Sequence, residues 1–116
     1  MAPKGPYMLC TVNKVPERAK LVVGRFIENV KENYIINHIG NAARIEDVKA
    51  MCEKNRPNVL FAASMWTQDE SDEILRIARE VVPGIKTMAI PQGLQDQKGP
   101  DGVLEFLKER WTSLIE

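Results

Sequence analysis

The chain is short of the residues that usually announce a chemistry. It has one histidine and two cysteines among 116 residues. There is no Cys-x-x-Cys and no metal-like Cys/His spacing, which excludes a disulfide framework and a zinc module. Lys plus Arg number 16 and Asp plus Glu number 16. The absence of a basic excess argues against a nucleic-acid or anionic-membrane surface, leaving room only for a local patch. No apolar run approaches the roughly 20 residues of a membrane span. The opening Met1-Ala2-Pro3-Lys4-Gly5-Pro6 lacks the apolar core of a secretory signal, so the expected location is the cytoplasm. No G-x-G-x-x-G or G-K-[ST] phosphate loop occurs, and no Gly-x-Ser-x-Gly elbow surrounds a serine.

What is present is a regular alternation of short apolar runs and amphipathic stretches. With 44% hydrophobic residues, the chain can bury a core without staples. The expected organisation is a loose arm over residues 1–6 and one α/β domain over 7–116. Residues 7–13 read as a strand. Pro16 suits a first helical turn, and Ala19, Val22, Val23, Phe26, Ile27 and Val30 form one apolar stripe over about 16–32. A second strand is expected at 34–39, ended by Gly40 and Asn41. A second helix over 43–55 turns Ile45, Val48, Met51 and Cys52 inward. Asn58 to Ser64 is a continuous apolar run, as in a central parallel strand covered on both faces.

Asp69 and Ser71 are candidate caps for a third helix, whose Ile74, Leu75, Ile77, Ala78 and Val81 face inward. Ile85 to Ile90 is the fourth strand. A polar loop over 91–100 leads to a last helix from about Asp101, with Trp111 on its packed face. The order β-α-β-α-β-α-β-α implies a parallel sheet. Right-handed crossovers favour a three-layer α/β/α arrangement, strand order 2-1-3-4, with the first and last helices on one face. The crevice would then lie at the ends of strands one and three.

Four stretches carry a resemblance: Leu9 to Arg18, Ile35 to Asn41, Asn55-Arg56-Pro57 through Met65, and Pro83-Gly84-Ile85-Lys86. Over about residues 8–90 the chain resembles a response-regulator receiver domain, within the flavodoxin-like folds. Receivers have a further βα unit, so the pattern is contracted here. The resemblance also implies where chemistry would sit. An acidic pair after strand one holds Mg²⁺ in receivers; Asn13 and Lys14 stand there, and an ammonium repels a divalent cation. The phosphoacceptor aspartate would fall near Ala63, and the switch hydroxyl near Ile90. The resemblance implies a pseudo-receiver, or a different flavodoxin-like protein that shares only the scaffold, with no phosphoacceptor, no metal and no cofactor.

Two functions follow. The first is a non-catalytic regulatory module acting through a protein partner or self-association, with a homodimer as one form. The alternative is a small-molecule-binding protein or small enzyme using a polar crevice. Its lining would come from Asn13, Lys14, Ser64, Trp66, Thr67 and Gln92, with the 91–100 loop as lid. No catalytic residue is assigned. His38 is the only histidine, and in this strand order it lies about 10 Å from Ser64, two strand spacings, beyond a Ser–His pair. Trp66 follows a buried strand in a polar turn, where it either folds back, caps a ligand or anchors a partner. Cys10 and Cys52 read as buried free thiols.

Overall fold

The computed structural model describes residues 3–115. Its elements run β1 (Lys4–Val12), α1 (Pro16–Val30), β2 (Tyr34–Ala42), a 3-10 turn (Ile45–Asp47), α2 (Val48–Asn55), β3 (Val59–Ala62), α3 (Gln68–Val81), β4 (Lys86–Ala89) and α4 (Leu94–Ile115). The strands form one parallel sheet in the order β2-β1-β3-β4. This is the expected three-layer, flavodoxin-like arrangement. β3 is buried at every residue, as its unbroken apolar run requires of a central strand.

Two cores flank the sheet. On one face Leu9, Val23, Phe26, Phe61, Leu104, Leu107 and Trp111 pack beneath α1 and α4. On the other, Cys10, Val12, Val48, Cys52, Leu60 and Ile74 pack beneath α2 and α3. Trp111 is the hub of the first core. Tyr7, Phe26, Tyr34 and Phe61 meet it edge-on, with ring centroids 5.4–6.2 Å away, the geometry that aromatic quadrupoles prefer. Its Nε1–H has no hydrogen-bond acceptor among the described residues.

Several boundaries differ from the sequence reading. β1 begins at Lys4, whose N–H donates to the Asn33 carbonyl at 2.9 Å. Residues 4–6 are therefore strand and not part of a loose arm; residues 1 and 2 lie outside the described residues. β2 runs through Gly40 and Asn41 to Ala42. A side chain at Gly40 would meet Asn55 Nδ2 at 2.9 Å and Cys10 Sγ at 3.3 Å, so this glycine admits a close approach and does not end the strand. Thr67 caps α3, in place of Asp69 or Ser71. Its side chain accepts from the Glu70 N–H at 3.1 Å, and Glu70 Oε1 accepts from the Thr67 N–H at 2.9 Å. That is a full capping box.

The 91–100 stretch is not an open loop. Helix starts at Leu94, breaks at Gly99 (φ 69°) and resumes with Pro100 in its first turn, where a missing N–H costs little. Among the described residues, no helix is long and apolar enough to cross a membrane.

Candidate functional site

The C-terminal rim of the sheet is built by three successive strand ends. Val12, Ala62 and Ala89 lie in register. The Ala63 N–H donates to the Val12 carbonyl at 3.0 Å, and the Ile90 N–H to the Ala62 carbonyl at 2.9 Å. Asn13, Ala63 and Ile90 thus stand side by side where the strands give way to turns.

Asn13 is 7% exposed. Its Oδ1 accepts from the Val15 N–H at 2.8 Å, which closes the turn into α1. Its backbone is held too: N–H to the Ala42 carbonyl at 3.0 Å, and its carbonyl to Asn41 Nδ2 at 3.1 Å. Lys14 is exposed, with its N–H directed at Met65 Sδ (3.1 Å) and its ammonium 5.0 Å from the centre of the Trp66 ring. Of the three roles open to Trp66, the structure takes the first. The ring folds back on the domain, 3% exposed, and Nε1–H donates to the Val12 carbonyl at 2.9 Å.

Ser64 accepts from the Gly93 N–H through its carbonyl at 3.0 Å, which pins the start of the last helical segment. Thr67 is spent on the α3 cap. Gln92 is exposed on the turn beyond β4.

Asn13 and Ser64 are brought together as walls of one cavity, between α1 and α4 at the ends of β1 and β3. Its volume is about 40 Å³, and its other walls are mainly apolar, including Val23, Phe61 and Leu107, with Arg18 and Gln95 among its polar residues. This is space for a water or two. Lys14 and Trp66 line a separate open depression with Arg44, Glu46 and Glu70. Gln92 and Thr67 line neither. The six residues expected to form one crevice are divided between two hollows and two turns.

A polar chain beside this rim escaped the sequence reading. The Thr11 hydroxyl donates to Asn41 Oδ1 at 2.7 Å, and Thr11 Oγ1 lies 2.9 Å from His38 Nε2. With its proton committed to Asn41, the hydroxyl oxygen accepts from Nε2–H. Burial moves the His38 pKa below the ordinary imidazole value; the Gly40 backbone partly opposes this and the Lys20 charge adds to it. Thr11 is hidden in an apolar strand, so only the β1–β2 register reveals the chain. Arg18, on the first turn of α1, gave no signal either.

Burial also governs the thiols. Cys10 is pushed up to about 12 by desolvation, with neighbouring Cys52 adding to the shift, and burial raises Cys52 as well. Both are free, and a protonated buried thiol is a poor nucleophile. Among the described residues, no group of three or more His, Cys, Asp or Glu side chains is placed to hold a metal ion.

No protein-family model matches the chain, and no curated protein matches it. Solved structures do. The chain is similar to the isolated REC domain of RcsB from Salmonella enterica serovar Typhimurium, determined with the phosphomimetic BeF3⁻. The identity is 9% and the TM-score 0.58, over 90% of this chain and 73% of that one. It is also similar to the Salmonella typhimurium RcsB response regulator, with 14% identity and TM-score 0.54, over 91% of this chain and 68% of that one. At such identities the likeness is one of fold. The chain has the flavodoxin-like receiver fold.

Proposed function

We propose that this chain is a non-catalytic, receiver-like regulatory module that carries no phosphoacceptor and acts in the cytoplasm through contacts with a protein partner or a second copy. One observation carries the reading. The three strand ends where receiver chemistry would sit hold Asn13, Ala63 and Ile90, and the Asn13 side-chain oxygen is consumed by its own turn. Alanine and isoleucine cannot take a phosphoryl group. A lysine beside the rim disfavours a hard divalent cation. Trp66 and Thr67 work as parts of the scaffold, which supports a rim kept for shape.

The test is an amide NMR titration with Mg²⁺ and a small acyl phosphate. The spectrum is expected to stay unchanged. Stoichiometric aspartyl phosphorylation overturns the reading.

The cavity between α1 and α4 favours a second reading, a small-molecule-binding protein or small enzyme. Its volume of about 40 Å³ is far below what a metabolite-sized ligand fills, so this reading requires α1 and α4 to part. A fragment screen that shifts the Ser64 and Gln95 amides together would favour it. If no fragment moves them, the cavity is a packing gap.

A further inference from the structure

β2 ends the sheet, with β1 as its one neighbouring strand among the described residues. From Tyr34 to Ala43 the sequence carries no charge, and Ile35 and Ile39 are 45% and 37% exposed. Edge strands normally carry lysine, proline or an inward charge, because bare edges recruit further strands. Here the pairing with β1 slips between Tyr34 and Ile36, where the extra residue lies in β1, and again between His38 and Gly40, where it lies in β2, so β2 itself runs without an inserted residue from Tyr34 to His38.

α1 lies along this edge. Lys20 is near enough to His38 to affect its protonation. The other side of the helix faces α4: Arg25 pairs with Asp101 at 2.7 Å, and Arg18 and Val22 line the cavity with Val103 and Leu107. At 3.6 residues per turn, Glu17, Lys20, Gly24, Glu28 and Lys31 fall on one stripe, on the β2 side. All five are exposed. A side chain built on Gly24 would meet nothing within 4 Å.

The stripe is its own complement when read backwards. Glu28 and Lys31 pair with each other within the helix at 2.5 Å, and a two-fold axis at Gly24 brings Glu17 against Lys31 of a second copy and Lys20 against its Glu28, which joins these charges into one network. Glycine on the axis lets the two helices approach closely. α1 runs antiparallel to β2, as a right-handed crossover between parallel strands requires. Four residues of helix from Lys20 to Gly24 rise about 6 Å. That equals about two residues of strand, so an axis at Gly24 crosses β2 on the N-terminal side of His38. Ile36 is the midpoint of Tyr34–His38. One axis then serves both elements: centred on Ile36, it sets Tyr34 opposite His38 and Ile35 opposite Asn37 of the second copy.

We propose that the α1–β2 edge is the interface of a two-fold homodimer in which the β2 strands pair antiparallel and the α1 helices cross antiparallel at Gly24. An uncharged edge does not select its partner; the charge stripe does, and it matches itself. The contact is isologous, so it closes at two copies and pairs both β2 edges, with β4 left as the outer edge of each copy. Exposed ion pairs are individually weak, so strand hydrogen bonds and apolar burial hold the dimer and the charges set its orientation. The inference stands apart from the reading of the C-terminal rim.

Sedimentation equilibrium of the full chain over a wide concentration range tests it. The expected species has twice the chain mass. Lys20→Glu and Glu28→Lys each place like charges across the axis and are expected to weaken the dimer about tenfold or more; Glu28→Lys also removes the Glu28–Lys31 pair within the helix, so Lys20→Glu is the cleaner reading. The double variant Lys20→Glu/Glu28→Lys restores opposite charges and is expected to regain wild-type association. Gly24→Gln should weaken the dimer while stabilising the monomer, since glycine is a poor helix former. A monomer at all concentrations overturns the proposal, and so does a dimer indifferent to the single reversals or one that the double variant fails to restore.

Discussion

Trp66 is tied to the end of the neighbouring strand: its Nε1–H donates to the Val12 carbonyl at 2.9 Å while the ring is 3% exposed. The same carbonyl accepts from the Ala63 N–H at 3.0 Å. One oxygen at the end of β1 therefore holds both the strand and the turn that leads into α3. A tryptophan suits this place because a large apolar body fills the α2–α3 side while one polar atom reaches a buried acceptor.

Trp66→Phe keeps most of the apolar body and deletes the donor. Val12 retains its bond from Ala63, so the expected loss is that of one net hydrogen bond, about 0.5–1.5 kcal/mol. Trp66→Ala also empties the ring's space and is expected to cost about 3–5 kcal/mol. Urea denaturation followed by far-UV circular dichroism checks both. Equal losses would mean that the hydrogen bond, not the packing, carries the residue.

His38 makes stability depend on pH. Burial holds the folded imidazole below its ordinary value of 6.5. Between the folded and unfolded values, the unfolded chain binds more protons. The stabilisation is therefore whole above the unfolded value and is lost as pH falls through the folded one. The urea midpoint should begin to drop as pH falls through the ordinary imidazole value of 6.5, above the range in which carboxylates titrate. His38→Gln can still donate to Thr11 and should flatten this slope. An unchanged slope would assign it to another group.

Gly40→Ala probes the close approach of β2 and α2. The new methyl would meet Asn55 Nδ2 at 2.9 Å and Cys10 Sγ at 3.3 Å. Asn55 is engaged with the Met51 carbonyl at 3.0 Å, so its retreat breaks a bond. A loss of about 1–3 kcal/mol is expected, as for overpacking. Adding Asn55→Ala should recover part of it in a thermal melt. Additive losses would show that the two residues do not collide.

Much of the scaffold was legible in the chain. The apolar stripe from Ala19 to Val30 identified α1 because helical burial repeats at three and four residues. The unbroken run at Val59–Ala62 marked a strand covered on both faces. The ends were harder to read. Gly40 looked like a terminator because glycine disfavours strands, but tertiary crowding by Asn55 and Cys10 is what demands it there. Asp69 and Ser71 are as good a pair of caps as Thr67; what selected Thr67 was the turn that Trp66 anchors. The helical turn at Leu94–Lys98 is too short for a periodic signal and exists because Gly93 bonds to Ser64.

The rim shows the same division. Residue order and the apolar runs were enough to place Asn13, Lys14 and Ala63, residues without a carboxylate, after β1 and β3. It could not show that Asn13 and Ser64 share a cavity while Thr67 and Gln92 do not, nor that His38, Thr11 and Asn41 form one polar chain. Element type follows from local periodicity, which one strand or helix carries within itself. The division of polar atoms between scaffold and solvent follows from register and crossing, which bring together residues 27 and 54 positions apart, and no local pattern encodes those meetings.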